Sequence, residues 1–283
     1  MTNPDQSYFF ITDLLLYLSS FFNISAMDIT AIALQSGSNG NCIYIEADGV
    51  KLLFDAGING KQAEVRLAAH GRDIREVDAV IISHDHGDHV RHAGVYQRKY
   101  GLPLYVTEKT HETAVKRHPL GKLDDVRFFC SNGTLQFGGV SVEAFSTPHD
   151  TADGAAFVVS ANSKRLGIMT DLGHVFDGLP EVIGSLDAVF LESNYDPTML
   201  DSGPYPTFLK KRIRGLEGHL SNREAAELLD AASGSRLKWA CLSHLSEQNN
   251  NPSLTLRTHR SILRKDMALY IASRYASTPP LFV

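Results

Sequence analysis

Short runs of apolar, often β-branched residues alternate along the chain with turn-forming residues and with segments of helical periodicity. Residues 29–34, 42–46 and 50–54 predict a meander of three strands, because Ser, Gly, Asn and Asp separate them. Further strands are predicted over residues 79–82, 104–107, 126–130, 134–137, 140–145, 154–160, 165–170, 186–191 and 238–242. The alternation of strands with helical segments predicts an α/β (α+β) chain.

Helical spacing of apolar residues predicts helices over residues 60–69, 93–100 and 108–117. A later helix has a clear start signal, because Ser221 and Glu224 have the spacing of a capping box. That helix is expected to continue to Ala232. We interpret His111, on the third helix, as a surface or structural residue.

A cluster of histidines and aspartates follows directly on the apolar run of residues 79–82. The cluster reads Ser83-His84-Asp85-His86-Gly87-Asp88-His89. Residues two apart in an extended segment point the same way, so His84 and His86 can reach one ion. Gly87 allows a bend that directs Asp88 and His89 elsewhere. Solvated polar loops rarely gather three imidazoles, so the cluster predicts a metal site, and its two directions suggest two ions.

The order His-x-His-x-Asp-His after an apolar strand resembles the signature of the metallo-β-lactamase superfamily. Members of that family carry further ligands at the ends of later strands, and His149, Asp171 and His244 stand at such positions here. Asp55 follows the third strand and matches the family's first motif, in which the Asp supports the site through hydrogen bonds. Outside the resemblance, Asp55 also fits a helix or turn cap, and Asp171 also fits the N-cap of the following helix.

The resemblance implies a four-layer αββα sandwich of two mixed β-sheets flanked by helices, with two divalent metal ions, zinc or manganese. It assigns His84, His86 and His149 to the first ion and a bridging position to Asp171. It assigns Asp88, His89 and His244 to the second ion, and it also makes Asp88 a catalytic residue.

Residues 192–196, 218–222 and 243–246 are similar to the YycJ/WalJ group of this superfamily, which consists of metal-dependent exonucleases acting on DNA. The resemblance implies a phosphodiester hydrolase with 5′-to-3′ exonuclease activity on DNA. By analogy with related phosphodiesterases, His219 is the expected catalytic acid and Glu192 orients it. Alternatively, His219 caps the following helix. Two other functions stay open: a cyclic phosphodiesterase for small nucleotides, and a thioester or lactone hydrolase.

A basic run near His219 favours a phosphate substrate over a carbonyl one. We interpret Lys210, Lys211, Arg212 and Arg214 as candidate contacts to a nucleic-acid backbone, with the solvated face of an amphipathic helix as the alternative. His174 matches no ligand position, so it is expected at the edge of the pocket.

Composition bounds these expectations only loosely. At 283 residues and 43% hydrophobic the chain can bury a large core, and its net charge of −5 gives no general attraction to nucleic acid. Three widely spaced cysteines fit a reducing cytoplasm.

Asp5 and Asp13 argue against a signal peptide or a membrane span near the start. Residues 1–26 are therefore expected to be an appendage or an upstream start, and residues 27–283 the catalytic domain. The sequence carries no signal for an oligomeric state.

Overall fold

The computed structural model describes residues 29–232 and 236–283, which form two seven-stranded β-sheets with helices on both outer faces. The expected appendage, residues 1–26, lies outside the described residues, so the domain boundary stays a prediction. No helix in the described part of the chain is long and apolar enough to cross a membrane.

The first sheet has the strand order β14-β1-β2-β3-β4-β5-β6. Its strands are β1 (Thr30–Gln35), β2 (Cys42–Ala47), β3 (Val50–Phe54), β4 (Ala79–Ile81), β5 (Leu104–Val106), β6 (Val126–Phe128) and β14 (Leu281–Phe282). The predicted meander is confirmed, because β1 to β3 pair antiparallel. Asp48 and Gly49 both have positive φ in the two-residue turn between β2 and β3, as a tight hairpin requires. From β3 to β6 the pairing is parallel, since helices connect those strands.

The second sheet has the order β13-β12-β11-β10-β9-β8-β7. Its strands are β7 (Thr134–Phe137), β8 (Val140–Ser146), β9 (Ala155–Ala161), β10 (Lys164–Met169), β11 (Ala188–Glu192), β12 (Trp239–Ser243) and β13 (Ala268–Ile271). Hairpins join β7 to β10 in antiparallel order, whereas β10 to β13 are parallel. Both sheets are therefore mixed.

Nine α-helices lie in the described residues and cover the outer faces or frame the loops between strands. They are α1 (Gly60–Ala68), α2 (Gly87–Val90), α3 (Ala93–Tyr100), α4 (Glu108–Arg117), α5 (Leu179–Gly184), α6 (Pro197–Ser202), α7 (Thr207–Arg214), α8 (Asn222–Ala232) and α9 (Pro252–Ile262). A short 3₁₀ turn occupies Ile74–Glu76. The predicted capping box at the start of α8 is confirmed, because Ser221 N donates to Glu224 Oε2 at 2.8 Å and Glu224 N donates to Ser221 Oγ at 3.2 Å.

The core explains why the chain forms four layers. Alternate residues of a strand face opposite sides of its sheet. In β1, Ala31 and Ala33 face the apolar layer between the two sheets, while Ile32 and Leu34 face the helices outside. Both faces of the central strands are buried, so the strands read as continuous apolar runs. The four-layer αββα fold implied by the resemblance is confirmed.

Candidate metal centre

The predicted ligands come from loops that follow strands of both sheets, and the structure brings them together. β4 leads to the His84–His89 segment, β8 leads to His149, β10 to Asp171 and β12 to His244. These side chains form four overlapping groups in the described residues, and within each group the ligand atoms lie within 4.8 Å of one another. One group also includes Glu192 and His219. Residues more than 150 positions apart in the chain therefore share one cluster of donors.

The first group consists of His84, His86 and His149. Its ring centroids are separated by 4.9 Å for His84 and His86, 5.4 Å for His84 and His149, and 5.0 Å for His86 and His149. The three rings meet close to edge-on, so their nitrogens converge instead of stacking. Three converging imidazoles are a donor set that suits zinc and related cations.

Two of these histidines, His84 and His149, form a hydrogen bond through Nδ1, so their Nε2 atoms are directed into the cluster. His84 Nδ1 lies 2.9 Å from Ser83 Oγ, and His149 Nδ1 donates to the Gly218 carbonyl at 2.9 Å. The Nε2 atoms of His84 and His149 are buried and have no hydrogen-bond partner among the described residues. A buried polar atom without a partner is costly, so two such atoms facing one point fit a metal ion.

The second group consists of Asp88, His89 and His244. His244 Nε2 lies 3.3 Å from Asp88 Oδ2, and His89 Nε2 lies 3.6 Å from the same oxygen. This mixed set of two imidazoles and a carboxylate follows the bend at Gly87 and the start of α2, as the sequence predicted. The second donor set thus lies beside the first, with the His84 and His89 ring centroids 4.0 Å apart.

Asp171 lies between the two groups. Its Oδ2 is 3.3 Å from His89 Nε2, and its Oδ1 is 3.6 Å from both His149 Nε2 and His244 Nδ1. Oδ2 is buried and accepts no hydrogen bond from the described residues. The alternative reading as a helix cap is wrong, because the next helix begins only at Leu179, after Gly178.

Asp55 supports the His89 ring from behind. Its Oδ2 accepts from His89 Nδ1 at 2.7 Å, and its Oδ1 accepts from Ser83 N at 2.8 Å. A carboxylate on the far nitrogen of a histidine fixes the orientation of the ring and makes its other nitrogen a better metal ligand. The cap reading of Asp55 is wrong, since Asn59 caps α1.

Glu192 and His219 form a closely coupled pair at the end of β11. His219 Nδ1 lies 2.6 Å from Glu192 Oε1, and the His219 side chain is 16% exposed, so solvent reaches it. Glu192 Oε2 accepts from Leu172 N and Leu220 N. Burial opposes ionisation of Glu192, but His219 beside it holds the pKa of the carboxyl well below its usual range. The cap reading of His219 is wrong, because Ser221 caps α8.

In the first group the protonation states fit ligation by neutral imidazole. Burial lowers the pKa of His84 well below its ordinary value, and burial is also the main cause of the lowered pKa of His86 and of His149. In the second group burial alone would lower the pKa of His89, but Asp171, Asp55 and other carboxylates raise it to about 9. Such a buried cluster of carboxylates needs positive charge, which metal cations would supply.

The basic run and His174, which were singled out from the sequence, lie outside the donor groups. Three residues of the basic run on α7 bind other parts of the chain: Lys210 Nζ donates to the Asp201 carbonyl, Arg214 pairs with the Asp201 carboxylate, and Arg212 pairs with Asp150. Lys211 has no ion pair within the described residues and is exposed. His174 is not part of a donor group, and its Nδ1 donates to the Leu216 carbonyl. Its expected place at the edge of the pocket stays a prediction.

Three residues near the donors were not singled out from the sequence. Asn41 Nδ2 lies 2.9 Å from His89 Nε2, Asn194 Nδ2 lies 3.2 Å from His244 Nδ1, and Asp150 Oδ1 lies 3.5 Å from His86 Nε2. The Ser/Gly/Asn loop before β2 was a weak signal for Asn41. Asp150 directly follows His149, yet nothing in the sequence distinguished it from Asp85, which binds Arg117 and Ala152 N.

The comparison with known families decides which class of protein carries this centre. A family model described as a beta-lactamase superfamily domain matches residues 51–244. The chain belongs to the metallo-β-lactamase superfamily. A structure of the metallo-beta-lactamase fold protein YhfI from Bacillus subtilis superposes with a TM-score of 0.68 at 16% identity, over 89% of this chain and 99% of that one.

Two curated superfamily relatives are similar along most of their length. One, from Streptococcus pneumoniae serotype 2 (strain D39), is named exodeoxyribonuclease WalJ; it is 35% identical over 250 residues, which cover 87% of this chain and 93% of the relative. The other, exodeoxyribonuclease YycJ from Bacillus anthracis, is 36% identical over 234 residues, covering 82% and 88%. The fold of this superfamily implies divalent metal ions, and the His and Asp groups described above could bind them.

Proposed function

We propose that this chain is a metal-dependent exonuclease that hydrolyses the phosphodiester bonds of DNA from the 5′ end. The observation that carries the proposal is the convergence of buried, unpartnered donors on one point, in a chain that aligns with 93% of a relative named exodeoxyribonuclease. The 5′-to-3′ direction comes from the resemblance noted in the sequence.

Two ions are proposed, because the donors form two groups that share Asp171. His84, His86 and His149 would hold the first ion, and Asp88, His89 and His244 the second. An imidazole-rich set favours zinc, whereas the carboxylate oxygens of Asp88 and Asp171 also suit manganese. Asp55 would act only through His89, as a positioning residue.

When bound, two such cations neutralise the phosphate and activate water for attack on phosphorus. The chain's own contribution is the proton for the departing sugar oxygen. His219 is proposed to donate it from Nε2, because Glu192 holds Nδ1 at 2.6 Å. The carboxylate fixes the ring, and the ring borders a crevice shared with His149, Asp150 and Arg212. A group in that position can reach a leaving oxygen without coordinating an ion.

The contacts of α7 change which basic residues are proposed to bind the DNA backbone. Lys210 and Arg214 are occupied by Asp201, so Lys211, which has no such contact in the described residues, is the better candidate. Arg212 is a second candidate, because its partner Asp150 adjoins the donor groups. Arg212 connects α7 to the donor groups through Asp150, which lies 3.5 Å from His86 Nε2. A phosphate near the first donor group can therefore compete with Asp150 for this guanidinium.

The test uses single- and double-stranded DNA and RNA carrying a label at either end, with chelator-treated protein resupplied with Zn²⁺ or Mn²⁺. We expect a 5′ label to be released at once as a mononucleotide and a 3′ label to yield a descending ladder. Cyclic nucleotides and a lactone are included as competing substrates. Hydrolysis of one of those, with no cleavage of any nucleic acid, would replace the proposal with the corresponding alternative.

A further inference from the structure

A cavity of about 230 Å³ lies beside the loop that carries His244. Leu245 and Ser246, the two residues that follow His244, form part of its lining. Consecutive Cα atoms are about 3.8 Å apart, so one wall of the cavity begins within one residue of a candidate metal ligand. Neither the proposed metal ions nor His219 uses this cavity.

Hydrogen bonds fix the cavity relative to the donor groups. Ser36 lines the cavity, and its Oγ accepts from His244 N at 2.9 Å. Ser36 N donates to the Ser273 carbonyl at 3.0 Å, and Asn39 Nδ2 donates to the Arg274 carbonyl at 3.3 Å. The segment between β13 and β14 is thus tied to the same loop that supports His244. A ligand in the cavity would be held at a constant position relative to the centre.

Arg274 is the distinctive residue of the lining. Its side chain is only 12% exposed, yet its Nε and Nη1 atoms have no hydrogen-bond acceptor among the described residues. Glu247 Oε2 lies 3.3 Å from Nη1 and balances the charge without meeting hydrogen-bond geometry. Leaving buried donors without acceptors is costly. Buried polar groups are nearly always hydrogen-bonded, so these two atoms have capacity for a partner from outside the chain.

The rest of the lining favours a flat, uncharged ligand over a phosphate. Leu245 and Ile271 give apolar walls, and Asn250 and Ser246 add neutral polar groups. Since Glu247 balances the charge of Arg274, the cavity offers a phosphate no net positive charge. A nucleobase has apolar faces and acceptor atoms on its edges, which match apolar walls and unpaired N–H donors.

We propose that this cavity binds a nucleobase of the substrate strand next to the nucleotide being cleaved, an inference that rests on the proposed nuclease function. Arg274 donates to acceptors on the edge of the base. The Tyr275 ring is 70% exposed and has the Arg274 guanidinium 5.7 Å from its centroid, so its other face is open to stacking. Its hydroxyl donates to Glu247 at 2.8 Å, which holds the ring in place. The cavity thereby positions the strand end for the reaction.

The test compares Arg274→Gln with the wild type on single-stranded DNA whose first, second or third nucleotide is abasic. We expect the wild type to lose roughly tenfold in kcat/KM at one of these positions, the usual value of one base contact. Arg274→Gln should lose a similar factor on normal DNA and nothing further at that abasic position, because contacts to the same group are not additive. Tyr275→Ala provides a second, exposed variant with the same expected pattern.

Arg127→Gln is the matched control, since Arg127 lies on β6, an edge strand of the first sheet, and pairs with Asp125. Every variant should hydrolyse bis(p-nitrophenyl) phosphate, which has no base, at the wild-type rate. An abasic penalty that persists unchanged in Arg274→Gln would overturn the assignment. A loss in Arg274→Gln without any abasic penalty in the wild type would indicate a phosphate ligand and also overturn it. A wild type inactive on every oligonucleotide would instead reject the proposed nuclease function.

Discussion

At the scale of single residues, backbone strain marks the candidate metal centre. Asp55, Asp171 and His244 all follow strands, and all three have positive φ, of 66°, 59° and 55°. Residues other than glycine rarely adopt this left-handed conformation, and where they do the site is often functional. The strain turns each side chain from the strand end into the cluster. These residues were identified from their order after strands, but their backbone conformation could not be predicted.

His219 offers the sharpest test of a residue's role. If it protonates the departing sugar oxygen, His219→Ala should retain its metal content and lose about 10²- to 10⁴-fold in kcat on DNA. A nitrophenyl phosphodiester has a leaving group that needs no proton, so the loss there should be much smaller. Metal analysis and the two rates together give the measurement.

The control for this substitution is His111→Ala, because His111 lies on α4 and packs against Phe128, outside the donor groups. It should leave both rates unchanged. Equal losses on both substrates in His219→Ala would assign His219 to phosphate positioning. Loss of metal would make His219 a ligand, since it also lies in a group with Asp171, Glu192 and His244.

His259, on α9, predicts a pH dependence of stability. Burial lowers the pKa of His259 from 6.5 to about 4, although the hydrogen bond from Nδ1 to the Thr255 carbonyl acts to raise it. In the unfolded chain His259 therefore binds a proton below about pH 6.5, whereas in the folded chain it binds one only below about pH 4. Stability should fall by about 3 kcal/mol as pH decreases through this window. His259→Gln should remove that part of the slope in urea unfolding at pH 7, 5.5 and 4.5, and an unaltered slope would contradict it.

At the scale of elements, the segments with a clear hydrophobic pattern were predictable, and the elements near the C-terminus were not. The meander β1–β3 and helix α8 follow from alternation and from the capping box at Ser221. Strands β13 and β14 and helix α9 were not predicted. β14 has two residues and pairs with β1 some 250 positions away, so only tertiary contact defines it. Arg274 lies in the same closing region, which is why the cavity had no sequence signal.

The basic helix α7 illustrates how packing changes a charge argument. From the sequence its four cations looked equivalent, but only Lys211 lacks an ion pair or hydrogen bond in the described structure. Lys211→Glu should reduce the slope of log Kd against log salt for DNA by roughly one unit and leave hydrolysis of the nitrophenyl phosphodiester unchanged.

Arg212→Glu should impair both DNA binding and hydrolysis of the nitrophenyl phosphodiester, because the new carboxylate would face Asp150. Lys116→Glu, on the exposed face of α4, is the control. A slope that Lys211→Glu leaves intact would return α7 to the role of a solvated helix.

At the scale of the whole molecule, two mixed sheets position donors that are far apart in sequence. Both sheets contribute ligand-bearing strand ends, so the centre exists only when the sandwich is assembled. The order of the ligands could be read from the chain because each follows an apolar strand. The supporting contacts of Asn41, Asn194 and Asp150 could not, since they depend on how loops from different sheets meet.

The central claim is that hydrolysis of DNA depends on both donor groups being occupied by metal. The most direct measurement is nucleotide release from 5′-labelled DNA by metal-stripped protein, titrated with Mn²⁺ or Zn²⁺ while bound metal is counted by mass spectrometry. We expect no release at zero occupancy, full activity only as the second ion per chain binds, and almost none for a folded Asp171→Ala at any metal concentration. Full activity in protein shown to be free of metal, or saturation at one ion per chain, would contradict the account.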